Sequence, residues 1–139
     1  MKPLKHLAVL ALSFLFCFSA FADKLKVGFV YVGPVGDHGW TYMHEQGRLA
    51  VKKAFGDKVE TTFIESVKYG PEAETVIRAM ANSGTDIIFA TSFGYMEPML
   101  KVAKEFPNVK FEHATGYKTN DNMSVSVSYT HLTLPTKLA

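Results

Sequence analysis

The stretch GPEAETVIRAMANSGTDIIFATS (residues 70–92) is the strongest indication of the fold, because it predicts a helix followed directly by a buried strand. Pro71 suits the first turn of a helix, and two glutamates in that turn favour its positive dipole end. Gly84 ends the helix. Its apolar face, at helical spacing, consists of Ala73, Val76, Ile77, Met80 and Ala81. The nearly unbroken apolar run over residues 86–92 is expected of a central strand covered on both faces.

Strands and helices alternate on either side of this stretch. Three further runs rich in β-branched and aromatic residues predict strands: LKVGFVYVG (residues 25–33), KVETTFIES (residues 58–66) and VKFEHAT (residues 109–115). Helices are predicted between them, over residues 42–55 and over residues 96–106, where Pro107 ends the pattern. Four strands separated by three helices predict an α/β fold, a parallel sheet with crossover helices.

The first 22 residues are typical of a secretory signal. Two lysines precede an apolar run that is too short for a membrane span, and Ala20 and Ala22 suit cleavage before Asp23. An uncleaved anchor is the alternative. The only cysteine, Cys17, lies inside the apolar run, so the mature chain is expected to have neither disulfides nor thiol chemistry. The sequence therefore predicts an exported protein.

The end of the sequence has a different character. VSYTHLTLPT (residues 127–136) resembles a translated transposase sequencing adaptor, although the alternation over residues 123–129 is typical of a half-buried strand. We therefore interpret residues 126–139 as a non-native tail. Residues 23–125 are interpreted as an α/β lobe that is cut short.

The net charge of +2 for the whole sequence depends on its two ends. Lys2, Lys5 and Lys137 lie outside residues 23–125, and without them the chain has one basic residue fewer than its 13 Asp and Glu. A lobe that is close to neutral gives no support for binding to nucleic acid or to an anionic membrane.

Three loops are expected where a parallel sheet binds its ligands, beyond the carboxyl ends of the strands. They contain YVGPVGDHGWTYMHEQGR (residues 31–48), TSFGYM (residues 91–96) and HATGYK (residues 113–118). All carry glycine, and together they offer the carboxylate of Asp37 and the aromatic side chains of Trp40, Tyr42, Phe93, Tyr95 and Tyr117. Aromatic faces combined with polar groups predict a site for a planar polar molecule.

Other kinds of site fit the sequence less well. The glycines of the first loop are spaced G-x-x-G-x-x-G, and Pro34 removes an amide that a dinucleotide phosphate could use. His38 and His44 are six residues apart and do not share a helix face, so no metal site is predicted. Ser92 lacks a nucleophile-elbow pattern. For Trp40, a purely structural role in sealing the edge of the core remains open.

Two long segments resemble a known family. KVGFVYVGPVGDHGWTYMHEQGRLAV (residues 26–51) and IIFATSFGYMEPMLKVAKEFPNVKFEHATGYKT (residues 87–119) closely resemble the basic membrane protein family of substrate-binding proteins. These proteins serve ABC importers and include purine nucleoside receptors. The resemblance implies a type I periplasmic binding protein, in which two α/β lobes joined by hinge strands close on a ligand. This chain corresponds to most of the first lobe.

The resemblance also implies roles for particular residues. The segment GDHGW matches the family's loop whose aromatic residue stacks on a purine ring, which makes Trp40 the stacking residue. The other implied ligand-binding residues are Asp37, Thr41 and Tyr42 in the same loop, Ser92, Phe93 and Gly94 in the second loop, and Thr115 in the third. Nucleoside receptors of the family commonly have Phe followed by Asn where this chain has Trp40 and Thr41. The choice among purines therefore stays open.

The function that the resemblance implies is binding and not catalysis. The expected ligand is a purine nucleoside or nucleobase, the expected partner is an ABC permease in the inner membrane, and no cofactor, metal or nucleic acid is expected. Two alternatives remain: an exported α/β enzyme acting on nucleosides, and a non-functional truncated fragment.

Overall fold

The computed structural model describes residues 23–127, which form a parallel sheet with helices packed against it. The strands are β1 (Leu25–Val30), β2 (Val59–Ile64), β3 (Ile87–Ala90), β4 (Lys110–Ala114) and β5 (Met123–Ser126). The helices are α1 (Trp40–Phe55), α2 (Pro71–Asn82) and α3 (Met96–Glu105), with 3-10 turns at Gly56–Lys58 and Phe93–Tyr95. Neighbouring strands are parallel throughout the order β2-β1-β3-β4-β5. The predicted α/β fold is confirmed.

The strand order creates a switch point at β1. The chain crosses from β1 to β2 on one side and later returns to β3 on the other side. Right-handed crossovers in opposite directions place their helices on opposite faces of the sheet. Accordingly, α1 lies on the face that carries Phe29 and Tyr31, and α2 and α3 lie on the opposite face. The loops after β1 and β3 therefore meet where open α/β sheets bind ligands.

The main core lies between the sheet and the pair α2 and α3. Ile77 from α2, Met99 from α3 and Phe111 from β4 are each fully buried. Burial of a side chain of this size contributes about 1.5–3 kcal/mol. The apolar stripes that the sequence predicts for both helices thus face the sheet.

A buried polar network joins α1 to the sheet. The Glu45 carboxylate accepts hydrogen bonds from the Arg48 guanidinium at 2.6 and 2.8 Å and from the Tyr31 hydroxyl at 3.1 Å. Arg48 also donates to the Thr61 hydroxyl on β2 at 2.7 Å. Glu45 and Arg48 are each 8% exposed, and the bonds from Arg48 hold the pKa of the Glu45 carboxyl below its usual value. The network therefore keeps both charges paired while it fixes α1 against the sheet.

The connection between β4 and β5 is extended. Residues 115–122 run back along α3: the Tyr117 amide donates to the Met96 sulfur at 3.3 Å at the start of the helix. Beyond the end of the helix, the side-chain amide of Asn122 donates to the Phe106 carbonyl at 2.9 Å. α3 has ten residues and is therefore about 15 Å long. Residues 115–122, when extended, are long enough to run along the whole helix. β5 thus joins the sheet without a crossover helix.

Two features differ from the sequence-based expectation. The sequence predicts four strands, whereas β5 is a fifth, and its last residue, Ser126, is where the predicted non-native tail begins. The sequence also predicts that β3 is covered on both faces. Ile88 and Ala90 are fully buried, but Ile87 and Phe89 on the other face are only partly buried. Within residues 23–127, α1 lies toward β2 and leaves this part of the second face partly open.

Two predicted segments lie outside the described residues: the signal over residues 1–22 and the part of the tail over residues 128–139. Both stay predictions. Among the helices formed by residues 23–127, none combines the length and the apolar character that a membrane crossing requires.

Candidate ligand-binding site

Four loops meet at the carboxyl edge of the sheet, one more than the sequence analysis considers. The additional loop follows β2, and it brings the Tyr69 hydroxyl within 2.7 Å of the Ser92 hydroxyl. All strands of a parallel sheet end at the same edge, so a tyrosine just before the Gly-Pro start of α2 is a signal that could have identified this residue. Tyr69 is thus a candidate site residue that the sequence analysis misses.

Asp37 organises the first loop through its carboxylate. One oxygen accepts the amide N–H groups of Gly39 at 2.8 Å and Tyr42 at 2.9 Å, and the other accepts the Thr41 amide at 3.1 Å. These amides belong to the start of α1 and have no partner within the helix. The bonds, first from Gly39 and then from Tyr42, lower the pKa of Asp37, so its negative charge persists at neutral pH. Asp37 therefore caps α1 while its side chain stays exposed.

Trp40 is fixed along one edge and open elsewhere. Its indole N–H donates to the carbonyl oxygen of Thr91, just after β3, at 2.5 Å. Its ring packs edge-to-face with His44, one turn further along α1, with the ring centroids 4.7 Å apart. Burial lowers the pKa of His44, which favours its neutral form. Trp40 is nevertheless 43% exposed and belongs to neither buried core cluster of residues 23–127, so part of the indole is accessible to a ligand.

Thr41 and Tyr42 follow Trp40 but differ in access. The Thr41 side chain is completely buried, and its hydroxyl accepts the Gly33 amide at 3.2 Å. It therefore closes the loop from the inside. Tyr42 is half-buried, and its ring lies 5.4 Å from that of His38. Of the two predicted polar neighbours, Tyr42 is the one that keeps accessible surface.

Ser92 is held from two directions. Its carbonyl oxygen lies 2.9 Å from His113 Nε2, and its hydroxyl is paired with Tyr69. Gly94, two residues after Ser92, lies under the Tyr69 ring. A Cβ added at Gly94 would be 2.4 Å from the ring carbon Cδ1. Only glycine permits this approach, and the loop is therefore shaped by the contact between Tyr69 and Gly94.

Phe93 and Tyr117 form an open aromatic surface on neighbouring loops. They are 56% and 71% exposed, with ring centroids 6.3 Å apart. Together with Trp40 at the start of α1 and Tyr69 on the loop after β2, they place four exposed aromatic side chains at one edge of the sheet. Exposed apolar surface of this kind is characteristic of sites that bind ligands or partners.

Thr115 has an uncommon backbone conformation for a β-branched residue, with φ of +74°. Its amide donates to the Ser126 carbonyl at 2.8 Å, and its hydroxyl donates to the Ala114 carbonyl at 2.5 Å. The hydroxyl proton is therefore used within the protein. Backbone strain of this type clusters at ligand-binding sites. The predicted ligand role of Thr115 remains a prediction.

A cavity of about 220 Å³ adjoins these loops. It is lined by His44, Phe89, Ala90, Thr91, Glu112, His113, Ala114 and Ser126. His44 and Thr91 are the two residues that hold the Trp40 indole, so the cavity lies directly beside the anchored edge of this ring. Within residues 23–127, no group of three or more His, Cys, Asp and Glu side chains is arranged to hold a metal ion.

Comparison with known proteins identifies relatives of this chain. The profile of the Bmp family, described as PnrA-like ABC transporter substrate-binding proteins, matches residues 24–132. The chain is 64% identical over 102 residues to a purine-binding protein of Brucella abortus (strain 2308), which covers 73% of this chain and 29% of that protein. It is 41% identical over 101 residues to a Haloferax volcanii protein provisionally named as an ABC transporter glucose-binding protein, covering 73% of this chain and 25% of that one.

Solved structures show the same fold. A solute-binding protein of an ABC transporter system from Aeropyrum pernix K1 superposes with a TM-score of 0.64 at 26% identity, covering 73% of this chain and 28% of that chain. One from Conexibacter woesei has a TM-score of 0.65 at 24% identity, covering 74% and 35%. The chain thus spans about three tenths of the lengths of these relatives. It belongs to the Bmp family of PnrA-like ABC transporter substrate-binding proteins.

Proposed function

We propose that this chain is the first lobe of a periplasmic substrate-binding protein of an ABC importer, and that it binds a purine nucleoside or nucleobase. The ligand lies between this lobe and a second one supplied by further chain, and the closed form delivers it to a permease in the inner membrane. The coverage of only 29% of the Brucella abortus relative supports the need for additional chain. The name of that relative, at 64% identity, supports a purine ligand.

The observation that carries the proposal is the anchored, exposed indole of Trp40. The hydrogen bond to Thr91 and the edge contact with His44 fix the orientation of the ring before any ligand arrives. A ring that is already oriented loses little conformational entropy on binding. Stacking of a base on an aromatic side chain contributes about 1–3 kcal/mol.

Polar groups around Trp40 supply the recognition of ring edges and sugar hydroxyls. Asp37 is ionised and exposed, and a carboxylate has about four acceptor sites, of which backbone amides use three here. Ser92 and Tyr69 add a pair of hydroxyls on the adjacent loop. A site that hydrogen-bonds its ligand discriminates strongly against analogues that leave these groups unpaired.

Binding and closure complete the action of such a receptor. Two-lobed binding proteins close around the ligand by a hinge motion, and the permease recognises the closed form. In this function these residues hold a ligand, and no covalent bond of the ligand is broken.

The test is a calorimetric titration of the full-length receptor with adenine, adenosine, inosine, guanosine and D-glucose. We expect saturable binding of at least one purine, with no conversion of the ligand after prolonged incubation. Trp40→Ala should weaken that binding by about 5- to 150-fold, which corresponds to the stacking energy. Phe55→Ala is the matched control, because Phe55 is another exposed aromatic residue of α1, 55% exposed, at the far end of the helix.

Two results would contradict the proposal. Binding of glucose but of none of the four purines would replace the purine ligand by a sugar. Equal affinity of Trp40→Ala and the unmodified receptor for the bound purine would remove Trp40 from the site.

A further inference from the structure

His113 occupies a buried position between two loops of the candidate site. It lies near the end of β4, is 1% exposed, and its Nε2 is 2.9 Å from the carbonyl oxygen of Ser92. A carbonyl oxygen can only accept, so Nε2 carries the proton in this contact. In the neutral imidazole, Nδ1 is then an unprotonated acceptor.

Nδ1 of His113 is the atom that marks this residue as unusual. Among the described residues it is a buried side-chain nitrogen with no hydrogen-bond partner. The backbone of Gly116 covers it: a Cβ added at Gly116 would lie 2.5 Å from Nδ1 and 2.8 Å from the neighbouring ring carbon Cε1. Buried polar atoms are almost always paired, so an unpaired one with backbone packed over it stands out.

The ring connects the loop after β3 to the loop after β4. On one side it holds the carbonyl of Ser92. On the other side it supports Gly116, which is brought onto the ring by the positive φ of Thr115. Tyr117 follows, with its amide bonded to the Met96 sulfur. The positions of both loops thus depend on one imidazole.

The ionisable groups around the start of α3 are engaged elsewhere. At the start of α3, the Tyr95 hydroxyl donates to the Val67 carbonyl at 2.6 Å, and Glu97 is paired with Lys118 of the following loop at 2.5 Å. Two further groups line the adjoining cavity: Glu112 on β4 and His44 on α1. Burial lowers the pKa of His113 below its usual value, and the bond to Ser92 opposes this only in part. No carboxylate among the described residues is hydrogen-bonded to the ring.

We propose that His113 is a positioning residue that holds the loops of residues 92–94 and 115–117 in the ligand-binding arrangement only while its imidazole is neutral, so that ligand affinity falls on acidification. This rests on the proposed function. Protonation would place a charge and a second N–H at Nδ1, directly against the backbone of Gly116 and without an acceptor. The loops must then move apart to hydrate the cation, and the aromatic and polar groups they carry lose their alignment.

The expected size of the effect follows from proton linkage. A ligand that binds only while His113 is neutral requires this residue to lose its proton before binding. Affinity therefore falls by at most tenfold for each pH unit below the pKa of His113 in the free receptor. Well above the usual imidazole pKa of about 6.5, His113 is neutral and affinity is expected not to change with pH through this residue.

The first test follows backbone amide chemical shifts of the ligand-free, full-length receptor by NMR between about pH 8 and pH 5. We expect the amides of residues 92–94 and 115–117 to titrate together with the Cε1 proton of His113. His113→Gln should abolish this titration, because the glutamine amide can still donate to the Ser92 carbonyl but does not titrate. Separate midpoints for the two loops, or an unchanged titration in His113→Gln, would overturn the proposal, and the unmodified receptor alone decides it if the variant does not fold.

The second test measures affinity for adenosine and for inosine over the same pH range. The unmodified receptor should lose affinity below the His113 midpoint, and His113→Gln should show a flat profile. A flat profile in both would overturn the coupling to ligand binding. If neither probe binds while the loops titrate as expected, the purine assignment fails and the positioning role of His113 stands.

Discussion

Gly94→Ala tests the most restrictive contact in the candidate site. The new Cβ would lie 2.4, 2.5 and 2.7 Å from three carbons of the Tyr69 ring, whereas ordinary contacts begin at 3.4 Å. The ring must therefore shift by about 1 Å or rotate away, which breaks its 2.7 Å hydrogen bond to Ser92. Overpacking costs about 1–3 kcal/mol, and loss of the hydrogen bond adds about 0.5–1.5 kcal/mol.

The assay is thermal unfolding followed by circular dichroism. A loss of about 2 kcal/mol lowers the Tm of a domain of this size by roughly 10 °C. The control introduces Gly94→Ala into the Tyr69→Ala variant. Without the Tyr69 ring the added methyl group has room, so Gly94→Ala should lower the stability of that variant only slightly. Gly36→Ala is the matched single control, because a Cβ at Gly36 meets no atom within 4 Å. A Gly94→Ala variant as stable as the unmodified protein, or an equal penalty in the absence of Tyr69, would show that the Tyr69 ring does not restrict position 94.

Three further predictions concern stability. Glu45→Ala should lower the unfolding free energy by about 3–5 kcal/mol in urea titrations, since it leaves the Arg48 guanidinium buried and unpaired. Gly47→Ala on the same helix should raise it by roughly 0.5–1 kcal/mol, because a Cβ there meets no atom within 4 Å. Acidification below pH of about 6.5 should lower the unfolding free energy. Burial depresses the pKa of His44 and His113 in the folded state, so the unfolded chain binds more protons below that pH. The stability that is present at higher pH is therefore lost as the pH falls toward the folded-state pKa values. A stability that is flat between about pH 7.5 and pH 5 would contradict the last prediction.

Much of the fold is predictable from local patterns. The helix predicted from Pro71 ends at Asn82 in the structure, just before Gly84, which has φ of +80°. Each predicted strand appears within a few residues of its expected limits because turn residues and apolar runs mark them. The predicted helical start after the first loop is placed at Trp40, two residues earlier than the apolar pattern indicates, because the Asp37 carboxylate satisfies the first amides. A cap of this kind depends on side-chain geometry that spacing does not encode.

The parts that the sequence does not predict depend on contacts distant in the chain. β5 pairs with β4 through an extended return along α3, and no local pattern indicates that residues 115–122 replace a crossover helix. Tyr69 reaches the site only because the loop after β2 packs on the loop after β3. The burial of Thr41 follows from its bond to Gly33, which distinguishes it from its exposed neighbour Trp40. Long-range packing thus decides which of several polar residues face a ligand.

Stacking of a purine on Trp40, the single tryptophan of this chain, can be observed by a fluorescence titration that isolates this residue. The emission of the full-length receptor and of its Trp40→Phe variant is recorded during titration with the purine that binds most tightly in calorimetry, and the two are subtracted. We expect a saturable change in the difference signal, with the same midpoint as the calorimetric isotherm, because the base stacks on the indole. A difference signal that stays constant while the purine binds would show that the ligand does not stack on Trp40 and lies elsewhere.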